Sequence, residues 1–173
     1  MKIHTLIHTA LVAEAKPIIG HFKLSCTSRS PYNLYIHEDI ALIVSGIGSE
    51  QTKNALSYAL ALMSPQRAIN VGIAGCSDTS IEKGTLFCAS HQGLAIPFAS
   101  LSSRENPMED PSYRNTTLVD MEAQAFMTAL PSTIEAYVFK VVSDHLETSI
   151  PSKADVGNWI GNSIKQWENY VRG

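Results

Sequence analysis

The stretch that most constrains this chain runs from Thr117 to Asp144, where two apolar runs each end in a carboxylate. The first reads Val119-Asp120-Met121-Glu122-Ala123, the second Val138-Phe139-Lys140-Val141-Val142-Ser143-Asp144. From about Ala136 to Val142 the residues are β-branched and aromatic, as in a strand buried within a parallel sheet. The first run passes directly into a helix, because Glu122 to Leu130 is rich in Ala, Met and Gln. Open α/β sheets bind ligands beyond the carboxyl ends of their strands, so acids placed there are candidates for a site. Helix capping competes as an explanation for each acid taken alone. Two of them, joined by a third from the N-terminal segment, favour a site.

Strands and helices alternate around that stretch. Lys2 to Val12 reads as a buried strand and Ala13 to His21 as a helix, with Pro17 tolerated only in its first turn. Cys26 to Tyr32 reads as a loop. Leu34 to His37 and Ile40 to Val44 form a hairpin through Glu38-Asp39. Ser45-Gly46-Ile47-Gly48-Ser49 then opens a helix from about Glu50 to Met63; such a turn can offer backbone N–H groups to an anion or polar ligand, but taken alone it reads first as a tight structural turn. It is not a dinucleotide fingerprint, since Gln51 stands at the third glycine position. A second glycine-rich strand end follows at Gly72-Ile73-Ala74-Gly75, after a strand beginning at Arg67, and Gly84 to Ala89 is a further strand. His91 to Asn115, rich in Ser, Pro, Asn and charge, reads as a mobile loop able to cover a ligand. The last helix spans Lys153 to Val171, where Val156, Trp159, Ile160, Ile164, Trp167 and Val171 recur at helical spacing as packing residues. This order predicts an α/β fold, a three-layer α/β/α arrangement around a central mixed, mostly parallel twisted sheet, in one domain over residues 1–173.

Composition excludes several function classes. Lys plus Arg is 13 against 16 for Asp plus Glu, and no basic stripe is present, so nucleic acid is not an expected partner. Cys26, Cys76 and Cys88 are odd in number and form no CxxC pair, which argues against a zinc ribbon or disulfide framework and fits a reducing cytoplasm. His4 and His8 have a metal-pair spacing, but they lie in a strand-like run where neighbours alternate in direction, so they read as core or surface histidines. No stretch is long and apolar enough to span a membrane. Ala13-Glu14-Ala15 mimics a signal cleavage site, but polar residues interrupt the run before it.

Six short motifs in order carry a family resemblance: Ala10-Leu11-Val12-Ala13-Glu14, Ser45-Gly46-Ile47-Gly48, Asn70-Val71-Gly72-Ile73-Ala74-Gly75, Gly84-Thr85-Leu86-Phe87, Val119-Asp120-Met121-Glu122-Ala123 and Val142-Ser143-Asp144. Together they span most of the chain, which resembles the nucleoside phosphorylase/nucleosidase superfamily, and within it the methylthioadenosine/S-adenosylhomocysteine nucleosidases. The resemblance implies hydrolysis of the N-glycosidic bond of adenine nucleosides. Glu14 would activate the attacking water, and Asp144 would bind the purine and help protonate N7 as it leaves. Glu122 would hold the ribose hydroxyls with help from Met121. Ala10, Ile47, Ile73, Ala74, Gly75 and Ser143 complete the implied substrate-binding set. It further implies a homodimer, and carboxylates with water suffice for the chemistry, so no metal or organic cofactor is called for.

Two side chains narrow the substrate class. A carboxylate at Asp144 accepts a hydrogen bond from an exocyclic amino group, whereas an amide better serves a 6-oxopurine, so adenine nucleosides are favoured over inosine or futalosine-like substrates. Phosphorylases of the superfamily carry a phosphate-binding arginine in the third motif, where this chain has Asn70-Val71-Gly72. Water is therefore the expected nucleophile. Three departures stand against the pattern. Ile73 replaces the usual Ser or Thr, Cys76 replaces a common glycine, and the stretch between Gly75 and Met121 is short and lacks the family's purine-stacking aromatic segment. Phe98 or Tyr113 is left as a substitute. The alternatives are a catalytically impaired nucleoside-binding relative, or a phosphorylase or hydrolase for an unusual purine nucleoside.

Overall fold

The computed structural model describes residues 2–105, 115–147 and 150–172. Among them nine strands form one sheet, built outward from a parallel centre. Strand β1 (Thr5–Thr9) lies in parallel between β4 (Ile40–Val44) and β5 (Arg67–Cys76), and β9 (Glu135–Asp144) runs parallel to β5 on its far side. Antiparallel strands extend this core. β2 (Ser25–Ser28) and β3 (Asn33–His37) continue the sheet beyond β4. β6 (Leu86–Cys88) joins β9, and β8 (Leu118–Asp120) joins the last residues of β5, with β7 (Leu101–Ser103) parallel to β8.

Alternation along the central strands divides their side chains between two helical layers. Ile7, Leu42, Ile69, Phe139 and Val141 face α1 (Val12–Phe22) and α4 (Lys153–Trp167), which contribute Ile18, Phe22, Ile160, Ile164 and Trp167. Their neighbours Leu6, Ala41, Ile43, Ala68 and Val138 face α2 (Ser49–Leu62) and α3 (Ala123–Ala129) through Leu56, Ala59 and Phe126. The architecture is the expected three-layer α/β/α, and the central strands are apolar on both faces because both faces are covered.

Several local expectations are corrected. Pro17 sits at the sixth position of α1, beyond the first turn, where its missing N–H removes one helical hydrogen bond. The segment read as a loop at Cys26 to Tyr32 begins with strand residues, because β2 pairs along the exposed edge of β3. The supposed loop from His91 contains β7, and residues 106–114, including Tyr113, lie outside the described residues. The last helix breaks at Glu168 into α4 and a short α5 (Asn169–Arg172). No helix among the described residues is long and apolar enough to cross a membrane.

Candidate active site

Four strand ends converge on one pocket of about 390 Å³. β1 leads into α1 through Ala10, β5 ends at Gly75-Cys76, β8 ends at Asp120, and β9 ends at Ser143-Asp144. All ten residues singled out from the sequence line this pocket: Glu14, Asp144, Ala10, Ile47, Ile73, Ala74, Gly75, Met121, Glu122 and Ser143. Asp120, Leu11, Leu146 and Glu147 join them. The described lining therefore holds five carboxylates, no lysine and no arginine.

Glu14 is the third residue of α1 and is 2% exposed. Its Oε2 accepts from the backbone N–H groups of Ala10 (3.0 Å) and Leu11 (2.9 Å), a capping arrangement at the helix start. Its Oε1 reaches across to β5 and accepts from the N–H of Ile73 at 3.0 Å. A cap alone would not need that third contact. Three of the roughly four acceptor positions of the carboxylate are thus taken, and one is left. Burial raises its pKa, opposed by the Lys140 ammonium and the N–H groups of Leu11 and Ile73.

Glu122 follows β8 and receives the N–H of Gly48 on Oε1 at 2.9 Å. Gly46 and Gly48 both have positive φ (91° and 99°), which glycine adopts without strain. The glycine turn at the start of α2 therefore does bind an anion, but the anion is this protein's own Glu122. Burial raises the Glu122 pKa too, again against the pull of Lys140.

Asp144 is half-buried, less sheltered than the apolar run before it suggests. Ser143 Oγ donates to its Oδ2 at 2.6 Å and the N–H of Leu146 to its Oδ1 at 2.9 Å, which fixes the carboxylate's orientation. A Cβ built on Gly75 would fall 2.6 Å from Leu146 Cδ2 and 3.0 Å from Asp144 Oδ1, so only glycine fits there without displacement. Of the two candidate purine-stacking substitutes, Tyr113 lies outside the described residues and Phe98 does not reach the site. Phe98 is 42% exposed and lies outside the pocket wall, which among the described residues carries no aromatic side chain.

Beneath the pocket floor lies a polar cluster that the sequence reading did not identify. Lys140, in the middle of β9, is 1% exposed, and its Nζ sits 2.8 Å from Asp120 Oδ2. Burial works against its charge, but Asp120, then Glu122 and Glu14, outweigh burial and hold the ammonium above its ordinary range. His8 is fully buried in β1; burial, reinforced by Lys140, lowers its pKa to about 3 and leaves it neutral. The Asn70 amide nitrogen lies 2.8 Å from His8 Nδ1, so the ring proton sits on Nε2, 2.9 Å from Ser45 Oγ. Ser45 in turn donates to the Gly46 carbonyl at 2.6 Å, bracing the glycine turn. The available signal was a single lysine inside a run read as buried on both faces. No group of three His, Cys, Asp or Glu among the described residues is placed to hold a metal ion.

No protein-family model and no curated protein sequence matches this chain. Solved structures do. The Helicobacter pylori 5′-methylthioadenosine/S-adenosylhomocysteine nucleosidase superposes with a TM-score of 0.80 at 14% identity, covering 99% of this chain and 99% of that one. The fold is that of these nucleosidases. The Helicobacter pylori futalosine hydrolase gives the same TM-score and identity over 98% of this chain and 97% of its own. The Arabidopsis thaliana 5′-methylthioadenosine nucleosidase follows at 0.74 and 19%, over 100% and 98%. The nucleosidase fold thus extends over nearly the whole length of this chain.

Proposed function

We propose that this protein is a nucleosidase that hydrolyses the N-glycosidic bond of adenine nucleosides with a 5′ substituent, such as methylthioadenosine or S-adenosylhomocysteine. The observation that carries the reading is the convergence of Glu14, Glu122 and Asp144 on one pocket at the strand ends. Breaking an N-glycosidic bond builds positive charge on the ribose and negative charge on the departing base. Glu14 is the general base, with one acceptor position left for a water and a pKa raised toward the working range of such a base. Glu122 binds the ribose hydroxyls and offsets the developing positive charge. Asp144, held by Ser143 and the Leu146 N–H, meets the amino and N7 edge of the purine.

Water is the nucleophile in this reading. The described lining, with five carboxyl groups and no lysine or arginine of its own, disfavours a phosphate dianion. Asn70, which stands where phosphorylases carry arginine, is 1% exposed, with its amide nitrogen held on His8. A second copy is expected to cover the mouth of the pocket as a homodimer, since Val12, Ile47 and Ile150 lie exposed in the apolar groove that adjoins it.

A second reading, a nucleoside-binding relative without turnover, is favoured by the lack of an aromatic on the described pocket wall and by the Ile73 side chain. Incubating the purified protein with methylthioadenosine, with and without phosphate, separates the two. Adenine release at equal rates in both buffers is expected. Binding by calorimetry without release would support the second reading, and release that requires phosphate would overturn water as nucleophile.

A further inference from the structure

Strand β9 places one cation where the acids of the pocket converge. Lys140 Nζ contacts Asp120 directly at 2.8 Å, and Asp120 is itself fixed by Ser103 Oγ from β7 and by the N–H of Ala123 at the start of α3. The other titratable groups facing Lys140 are Glu122 after β8, Glu14 from α1 and neutral His8 from β1. Gly72 keeps the ammonium close to the base: a Cβ there would sit 3.0 Å from Glu14 Oε1 and 3.2 Å from Lys140 Nζ. Both polar groups thus flank the same missing side chain.

Resting on the nucleosidase reading above, we propose that Lys140, locked by Asp120, is the positioning residue of this site and keeps Glu14 and Glu122 ionised as they face the pocket. The physical reason is competition between burial and charge. Burial drives a carboxyl group to keep its proton, and a nearby ammonium opposes this. A protonated Glu14 cannot take a proton from water, so without the cation the base would be lost on the acid side of neutrality. A purely structural lysine would only neutralise Asp120. Removing both partners together would then leave the two glutamates unchanged.

The test uses the full chain with carbon-13-labelled glutamate, comparing wild type, Lys140→Arg and Asp120→Asn/Lys140→Met. Replacing both members of a buried pair avoids leaving one charge unpaired. The side-chain carboxyl signals of Glu14 and Glu122 are titrated by NMR, and base release is followed against pH. In the double variant both carboxyls should take up protons at higher pH than in wild type, and base release at mildly acidic pH should fall roughly tenfold. Lys140→Arg should keep the wild-type titration. Unchanged carboxyl titrations in the double variant overturn the proposal. Shifted titrations in a protein that releases no base sustain the role of Lys140 and overturn the nucleosidase reading instead. Should the double variant not fold, Glu14→Gln and Glu122→Gln read the same coupling from the other side, because linkage is reciprocal. Lys140 must then lose its proton at lower pH in each variant, and no change in either sinks the proposal.

Discussion

Strand β9 carries two ion pairs of similar geometry in opposite surroundings. At its start Glu135 meets Arg67 at 2.6 Å with 46% of the Glu135 side chain exposed, and in its middle Lys140 meets Asp120 at 2.8 Å with both side chains at 1%. The first pair ties the beginnings of β5 and β9 together at the surface, where screening leaves such pairs little net effect. The second bears a large desolvation cost that well-packed apolar residues would avoid. The contrast teaches that a buried pair of this kind points to what surrounds it, here Glu14 and Glu122, more than to stability.

Breaking the comparison at its strongest point, Lys140→Met alone leaves Asp120 charged, buried and unpaired, and should cost about 3–5 kcal/mol in urea unfolding. Asp120→Asn added to it should recover part of that loss. Gly72→Ala tests how tightly the two groups are held: the new methyl must displace Glu14 or Lys140, both tethered, and overpacking of this kind costs about 1–3 kcal/mol. Glu135→Gln at the exposed end should cost about 1 kcal/mol or less in the same assay. A cost as large as that of Lys140→Met would erase the distinction between the two pairs.

The buried cluster also sets a pH dependence of stability. His8 has its pKa depressed from 6.5 to about 3 in the folded state, so between those values the unfolded chain binds the extra proton. Stability is retained above 6.5 and is lost as pH falls toward 3. Glu14 and Glu122, whose pKa values are raised, act with the opposite sign on acidification, so the comparison with His8→Gln isolates the histidine. Wild type should lose more stability than His8→Gln when thermal unfolding is repeated at progressively lower pH.

What was legible in the sequence is what local pattern dictates. The hairpin of β3 and β4 follows from two apolar runs around Glu38-Asp39, and Glu38 at φ 52° makes the turn. The spacing of Val156, Ile160, Ile164 and Trp167 placed α4 on the core, where all four are buried. β2 was missed because an exposed edge strand of Ser, Cys and Thr has no apolar face to show. The ten pocket residues were legible only through motifs in order, and their roles rest on the proposed reading. Lys140 escaped because its partners come from α1, β8 and the segment after it, brought together only by the sheet. A lysine between Phe139 and Val141 announces that a partner must exist without saying which.

The most direct test of the central claim sets wild type beside Glu14→Gln and Asp144→Asn. Methylthioadenosine binding is measured by calorimetry and adenine release in phosphate-free buffer. Wild type should release adenine, and both variants should still bind the nucleoside while releasing it at least about a hundredfold more slowly, as expected for loss of a general base or acid. Variants that release adenine as fast as wild type, or a wild type that binds without releasing, would contradict the account.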